Sequence, residues 1–211
     1  MGPTDLVVRL TRRALIPIAL AAGLAATPAM AFREFTPELG YVITSESKYG
    51  SGLIYGVTVM EGTGGFGLGL SLMRFENSSS YQRPVKIDGD VTVFKYKENF
   101  SDSYIGILGT WMHGVSPKVH FIAAIGPQIH FLSATKQYIV ERYTQNARES
   151  RLGIGALMRY ERRIEMFGST SFVVAASYSW MESGIELWDV YTPPAQGLTS
   201  AALTVGLAFP F

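Results

Sequence analysis

The chain contains three histidines, His113, His120 and His130, which are its natural candidates for general acid–base chemistry because imidazole changes charge near neutral pH. His130 has the richest neighbourhood, with Ser133 shortly after it and Glu141 further along. A base, a hydroxyl and a carboxylate are the parts of a hydrolytic or acyl-transfer site, provided folding brings them within hydrogen-bond reach. A second set is polar without being nucleophilic: Glu38, His120, Gln128, His130, Arg151, Arg159 and Glu161. Enclosed together, such residues form an ion-pair and hydrogen-bond plug, or line a narrow path for water or protons. Mixed charge signs argue against a selective pore. The chain has no Cys, which removes disulfides, thiolate nucleophiles and Cys-based metal sites. Asp88-Gly89-Asp90 is too short for a calcium loop of the EF-hand type. Gly65-Phe66-Gly67-Leu68-Gly69 follows a turn and precedes no helix, so it is not a nucleotide fingerprint. The sequence therefore implies no metal and no cofactor.

The elements that must position these residues are strands. Side chains of a strand alternate between two faces, and this chain alternates repeatedly. Leu152, Ile154, Ala156, Met158 and Tyr160 share one parity, while Arg151, Gly153, Gly155, Arg159 and Glu161 take the other. The same holds for Val119, Phe121, Ala123 and Ile125 against His120, Ala124 and Gly126. Strands are predicted near 36–44, 52–61, 66–76, 103–113, 119–133, 150–161, 171–181 and 199–211. Their connections alternate in character. Gly62-Thr63-Gly64-Gly65, Gly114-Val115-Ser116-Pro117-Lys118 and the looser 162–170 are tight, whereas 45–51, 77–102, 135–149 and 182–198 are mostly longer, polar and turn-rich. Short turns on one rim and long loops on the other predict an all-β fold, an eight-stranded antiparallel up-and-down transmembrane β-barrel with apolar side chains outward. The rival reading, a soluble barrel with its apolar face inward, leaves the loop asymmetry unexplained. Tyr41, Tyr55, Phe66, Trp111, Phe131, Tyr160, Phe172, Trp180 and Phe209 fall near strand ends, where interfacial girdles want aromatic rings.

The ends specify the compartment. Arg9, Arg12 and Arg13 precede an apolar run from Ala14 to Ala26, and Ala29-Met30-Ala31 supplies a small-x-small cleavage pattern. Residues 1–31 are read as a cleaved signal peptide and 32–211 as the barrel domain. Beyond residue 31 there are 15 basic and 16 acidic side chains, a balance that gives no basic surface for nucleic acid. At the other end, Ala201, Leu203, Val205, Leu207, Phe209 and Phe211 alternate with small or polar residues up to a terminal aromatic. This pattern resembles the C-terminal strand of the small bacterial outer-membrane β-barrel superfamily, the OmpA/OmpX-like barrels. The resemblance extends over 32–211. It implies that Val205, Leu207, Phe209 and Phe211 form the insertion signal read by the barrel-assembly machinery. Pro210 departs from the usual pattern, but a missing N–H is tolerable at a strand terminus.

The resemblance also implies an integral outer-membrane protein with periplasmic termini, surrounded by outer-membrane lipid and lipopolysaccharide, with a structural or surface-interaction role. Arg74, Lys95, Lys97, Arg142 and Arg148 are placed to neutralise lipopolysaccharide phosphates. Asp88-Gly89 lies between β-prone runs, so 77–102 is expected to project as a ribbon whose edge suits an extracellular protein partner. The 182–198 loop adds Trp188, Tyr191 and Pro193-Pro194 to that surface. Some relatives modify lipid A, which keeps a deacylase or acyltransferase using His130 as the alternative. Against it, His130 shares the inward parity, and the upper interior is expected to be polar, with Gln128, Arg151, Ser177 and Ser179. The weaker alternative is a narrow pore.

Overall fold

Alternating side-chain size and polarity, with tight turns at Gly-rich or Pro-containing sites, leaves one long antiparallel meander that must close to satisfy its edges. The computed structural model describes residues 32–45, 49–87, 90–139, 144–164, 169–183 and 196–211. Its strands are β1 (Phe32–Thr44), β2 (Ser51–Thr63), β3 (Phe66–Ile87), β4 (Asp90–Ser116), β5 (Val119–Tyr138), β6 (Thr144–Arg163), β7 (Ser171–Ser183) and β8 (Gln196–Pro210). Each pairs with its sequence neighbour, and β1 pairs antiparallel with β8, so the sheet is a closed barrel. Residues 1–31, read as a signal peptide, lie outside the described residues, as do most of the 182–198 loop, Glu141 and Arg142.

One rim is built of tight turns. Gly64 and Gly65 both take positive φ, 68° and 82°, which is the backbone a two-residue type I′ hairpin demands, and Thr63 faces Phe66 across it. Pro117-Lys118 closes β4 onto β5. On the opposite rim the expected ribbon over 77–102 forms, whereas 135–149, read as a loop, is also mostly strand. The stretches 77–102 and 135–149 are not loops for most of their length: β3 and β4 stay paired to Ile87↔Asp90, and β5 and β6 to Gln137↔Thr144. Four strands thus rise past β2, whose last pairing to β3 is Leu53↔Glu76, and past β7, whose last pairing to β6 is Gly153↔Met181. These segments lack the apolar alternation that marks a half-buried strand. Cross-strand backbone hydrogen bonds hold them; Asp88-Gly89 signals this for β3 and β4, while the polar composition of 135–149 gives no such hint.

The outward parity is apolar through the waist of the barrel. Leu152, Ile125, Leu203 and Ile107 are all largely exposed on the outer wall. Inside, two apolar clusters bracket a polar middle. Met60, Leu108, Met112, Ile122, Leu157 and Val173 pack toward the turn rim. Tyr49, Ile54, Met73, Phe75, Phe100 and Leu132 pack toward the long rim. The expectation of a polar upper interior is therefore corrected: toward the long rim the inward side carries an apolar cluster that includes Tyr49, Phe75 and Phe100. Phe75 already falls on the inward parity of the predicted 66–76 strand, whereas the inward parity of Phe100 shows only once β4 is known to start before Ser103.

Candidate functional site

The polar middle consists of two networks on inward-facing positions. In the first, toward the turn rim, Arg159 is 1% exposed and is held by residues from β1 and its own strand. Its Nη2 donates to Thr36 Oγ1 at 2.6 Å and lies 3.1 Å from Glu34 Oε1. Its Nε stands 2.7 Å from Glu161 Oε1, in close ionic contact but without hydrogen-bond alignment. Nη1 rests on the Met60 sulfur at 3.7 Å. One guanidinium is thus wedged between two carboxylates in a low-dielectric interior, where opposite charges interact strongly and unpaired ones are costly.

The second network lies toward the long rim around His130, which is fully enclosed. Its Nδ1 is 2.8 Å from Asp102 Oδ2, and its Nε2 is 3.1 Å from Ser179 Oγ and 3.3 Å from Gln128 Oε1. Ser179 Oγ donates to Gln128 Oε1 at 2.6 Å. The Tyr104 ring tilts against the imidazole with centroids 5.0 Å apart. Gly153 on β6 leaves the space this needs, since a Cβ there would stand 3.0 Å from His130 Nε2. A carboxylate, an imidazole and a serine in a line form a nucleophilic relay in outline. Here the serine proton goes to an amide oxygen, Ser179 is 5% exposed, and an apolar cluster lies toward the long rim. Among the described residues, Asp102 Oδ1 is the one buried side-chain atom of this network without a hydrogen-bond partner, and the enclosure leaves no approach to a carbonyl.

The structure brings the anticipated interior residues together unevenly. Arg159 and Glu161 share one network, and Gln128 and His130 share the other. Glu38 lies between them, accepting from Thr204 Oγ1 at 2.5 Å. His120 is half-buried across the β5–β6 register from Glu161. Arg151 is only partly enclosed and pairs with Glu149 on its own strand. Ser133, the serine expected to serve His130, points to the opposite side of β5; the hydroxyl His130 finds is Ser179 on β7. Sequence reasoning missed Glu34, Thr36 and Asp102. Glu34 and Asp102 lie just beyond the predicted ends of their strands, and extending the parity of Glu38 and Tyr104 reaches both.

The outer wall carries a third arrangement. In register across β3, β4, β5 and β6, one outward row reads Leu72, Ile105, Ile129, Leu152. The next reads Arg74, Ser103, Phe131, Ser150, and the one beyond it Glu76, Ser101, Ser133, Arg148. The wall passes from hydrocarbon to hydroxyls and guanidinium groups within two rows. Three surface hollows meet at Arg74: an apolar one of about 360 Å³ bordered by Leu72, Ile105 and Phe131, and two of mixed lining, about 480 and 470 Å³, bordered by Ser101 and Ser133. Arg74 also contacts Glu76, with Nε 2.6 Å from Oε1.

No protein-family model and no curated protein matches the chain. Among solved structures, it is similar to Neisserial surface protein A at 13% identity, with a TM-score of 0.56 and coverage of 85% of this chain and 97% of that one. It is equally similar to a major outer membrane protein from Thermus thermophilus, at 14% identity and TM-score 0.56 over 85% and 99% of the two chains. With the closed eight-strand meander, the apolar outer waist and the filled interior, the chain has the fold of the small outer-membrane β-barrels of the OmpA/OmpX-like type.

Proposed function

We propose that the protein is a non-enzymatic barrel of a bacterial outer membrane that seats itself in the lipopolysaccharide leaflet and offers its raised strands to an external partner. The turn rim and both ends of the barrel are periplasmic in this reading, and residues 1–31 are the export signal. Val205, Leu207, Phe209 and Phe211 present the assembly signal. The observation that carries the reading is the outer wall of β3–β6, where an apolar row gives way to Arg74, Arg148 and a field of hydroxyls. A phosphorylated glycolipid has the complementary order, acyl chains below and phosphates and sugars above. Above that wall, β3 beyond Asn77 pairs with no strand on its β2 side among the described residues, which gives a backbone edge suited to strand addition. Pro84 within that edge interrupts its donors and limits indiscriminate pairing.

The test is retention of lipopolysaccharide by the purified barrel. Arg74→Ser with Arg148→Ser is expected to weaken binding by about tenfold or more, since charge-assisted hydrogen bonds contribute on the order of 1.5–3 kcal/mol each. Unchanged retention would remove the wall from the reading.

The aligned Asp102, His130 and Ser179 favour one second reading, a lipid A-modifying enzyme that opens its cap to act. His130→Ala and Ser179→Ala are each expected to leave the lipid A mass spectrum of an expressing strain unchanged. Loss of an acyl-chain modification in either variant would establish catalysis instead.

A further inference from the structure

The barrel interior leaves one carboxylate with no basic side chain against it among the described residues, and we infer from it a binding site: the cavity beside Glu38 holds a single small monovalent cation of sodium's size and charge. Glu38 is 6% exposed. Its Oε2 accepts from Thr204 Oγ1, but its Oε1 is buried and has no hydrogen-bond partner. Among the described residues the barrel buries four carboxylates, Glu34, Glu38, Asp102 and Glu161. Arg159 stands against both Glu34 and Glu161, and His130 Nδ1 stands against Asp102. No ion pair among the described residues reaches Glu38. A lone buried carboxylate is too costly to persist as it stands, so it must be neutralised, by a proton or by a cation.

Geometry indicates what that charge is. Glu38 borders an interior cavity of about 20 Å³, between the two networks. That volume takes one water molecule or one bare ion. A proton would need no such room, and a water molecule would bring no charge. The remaining wall includes the hydroxyl-bearing Thr58, Ser71, Tyr104 and Thr204. Neutral oxygens around one carboxylate suit a hard monovalent ion, whereas calcium is held by several carboxylates among six to eight ligands. The site is independent of whatever the outer surface contacts, so it stands or falls without the lipopolysaccharide reading.

The experiment compares thermal unfolding of the full barrel, refolded in detergent, in sodium chloride and in N-methylglucamine chloride at equal ionic strength. The parent is expected to unfold at a higher temperature in sodium, with a saturating dependence on its concentration. Glu38→Gln should abolish the difference between the two salts. Ser71→Ala, which keeps the charge and removes one ligand, should need several-fold more sodium for the same shift. A crystal soaked in thallium(I) should place an anomalous peak within reach of Glu38 Oε1. Equal midpoints for the parent in both salts, or a cavity holding water alone, would overturn the assignment.

Discussion

Replacing Arg159 with glutamine is expected to lower the stability of the folded barrel by roughly 3–5 kcal/mol, the range seen when one member of a buried ion pair is removed. The measurement is urea-induced unfolding from lipid vesicles, read by the separate gel mobilities of the folded and unfolded chain. The size of the effect follows from what remains. Glu34 and Glu161 both point at the guanidinium, and without it two carboxylates face each other in a sealed interior. Thr36 Oγ1 would also lose its 2.6 Å donor. Coulomb repulsion and desolvation then act in the same direction. The compensating variant separates charge from shape: Glu34→Gln and Glu161→Gln introduced with Arg159→Gln should recover most of the loss, since neutral amides can bond among themselves. A single substitution no worse than the triple would mean that the network does not hold the barrel together. Whole-network replacement by apolar residues of similar volume is expected to be nearly neutral, because a buried ion pair offsets its own desolvation more than it adds.

What is legible in the sequence is what repeats. Strand parity is a two-residue rhythm, so Leu152 to Tyr160 and Ala201 to Phe209 reveal which faces are apolar. The glycine-rich and Ser-Pro sites mark two tight turns. Closure follows, since an eight-strand meander with an apolar outer face has nowhere else to put its edges. The strand extensions are harder to read because above the membrane both faces are wet and the rhythm fades: Asn77 to Ser80 and Thr144 to Glu149 look like loop while being ladder. The interior partnerships are harder still. Parity places Arg159 and His130 inside, but which residues they meet depends on strand register and stagger around the barrel. Arg159 reaches Thr36 on β1, 123 positions away in sequence, across the centre of a closed ring. Nothing local encodes that distance. Asp102 sits one alternation from Tyr104, in a polar stretch where the strand rhythm has already faded. Ser179 has inward parity like its neighbours, and nothing in its own strand points to the imidazole it meets.

Substituting Val205 with arginine tests the assignment on which the membrane reading depends, and is expected to lower stability by about 2–4 kcal/mol in lipid vesicles, the cost of a cation on the lipid face near midplane. Val205 lies on the outer wall, in register with Leu39 of β1 and Val174 of β7, and Leu39 is 55% exposed. Next to it in sequence, Thr204 is buried and bonded to Glu38. One residue therefore separates hydrocarbon from a hydrogen-bonded interior, and a register slip by one would exchange the two faces along the whole strand. Arginine at 205 meets no carboxylate on its own face in either neighbouring strand at that level, so pairing cannot rescue it. The control is Thr135→Arg, on the same outward face but in the raised part of β5 opposite Asn99 and Asn146, where a charge remains hydrated and the expected change is within about 0.5 kcal/mol. The contrast should shrink in a detergent micelle, whose thin apolar layer lets the guanidinium reach water. Equal stability of the two variants in vesicles would mean that the outer waist does not sit in hydrocarbon, and that these leucines and valines are covered by something other than acyl chains.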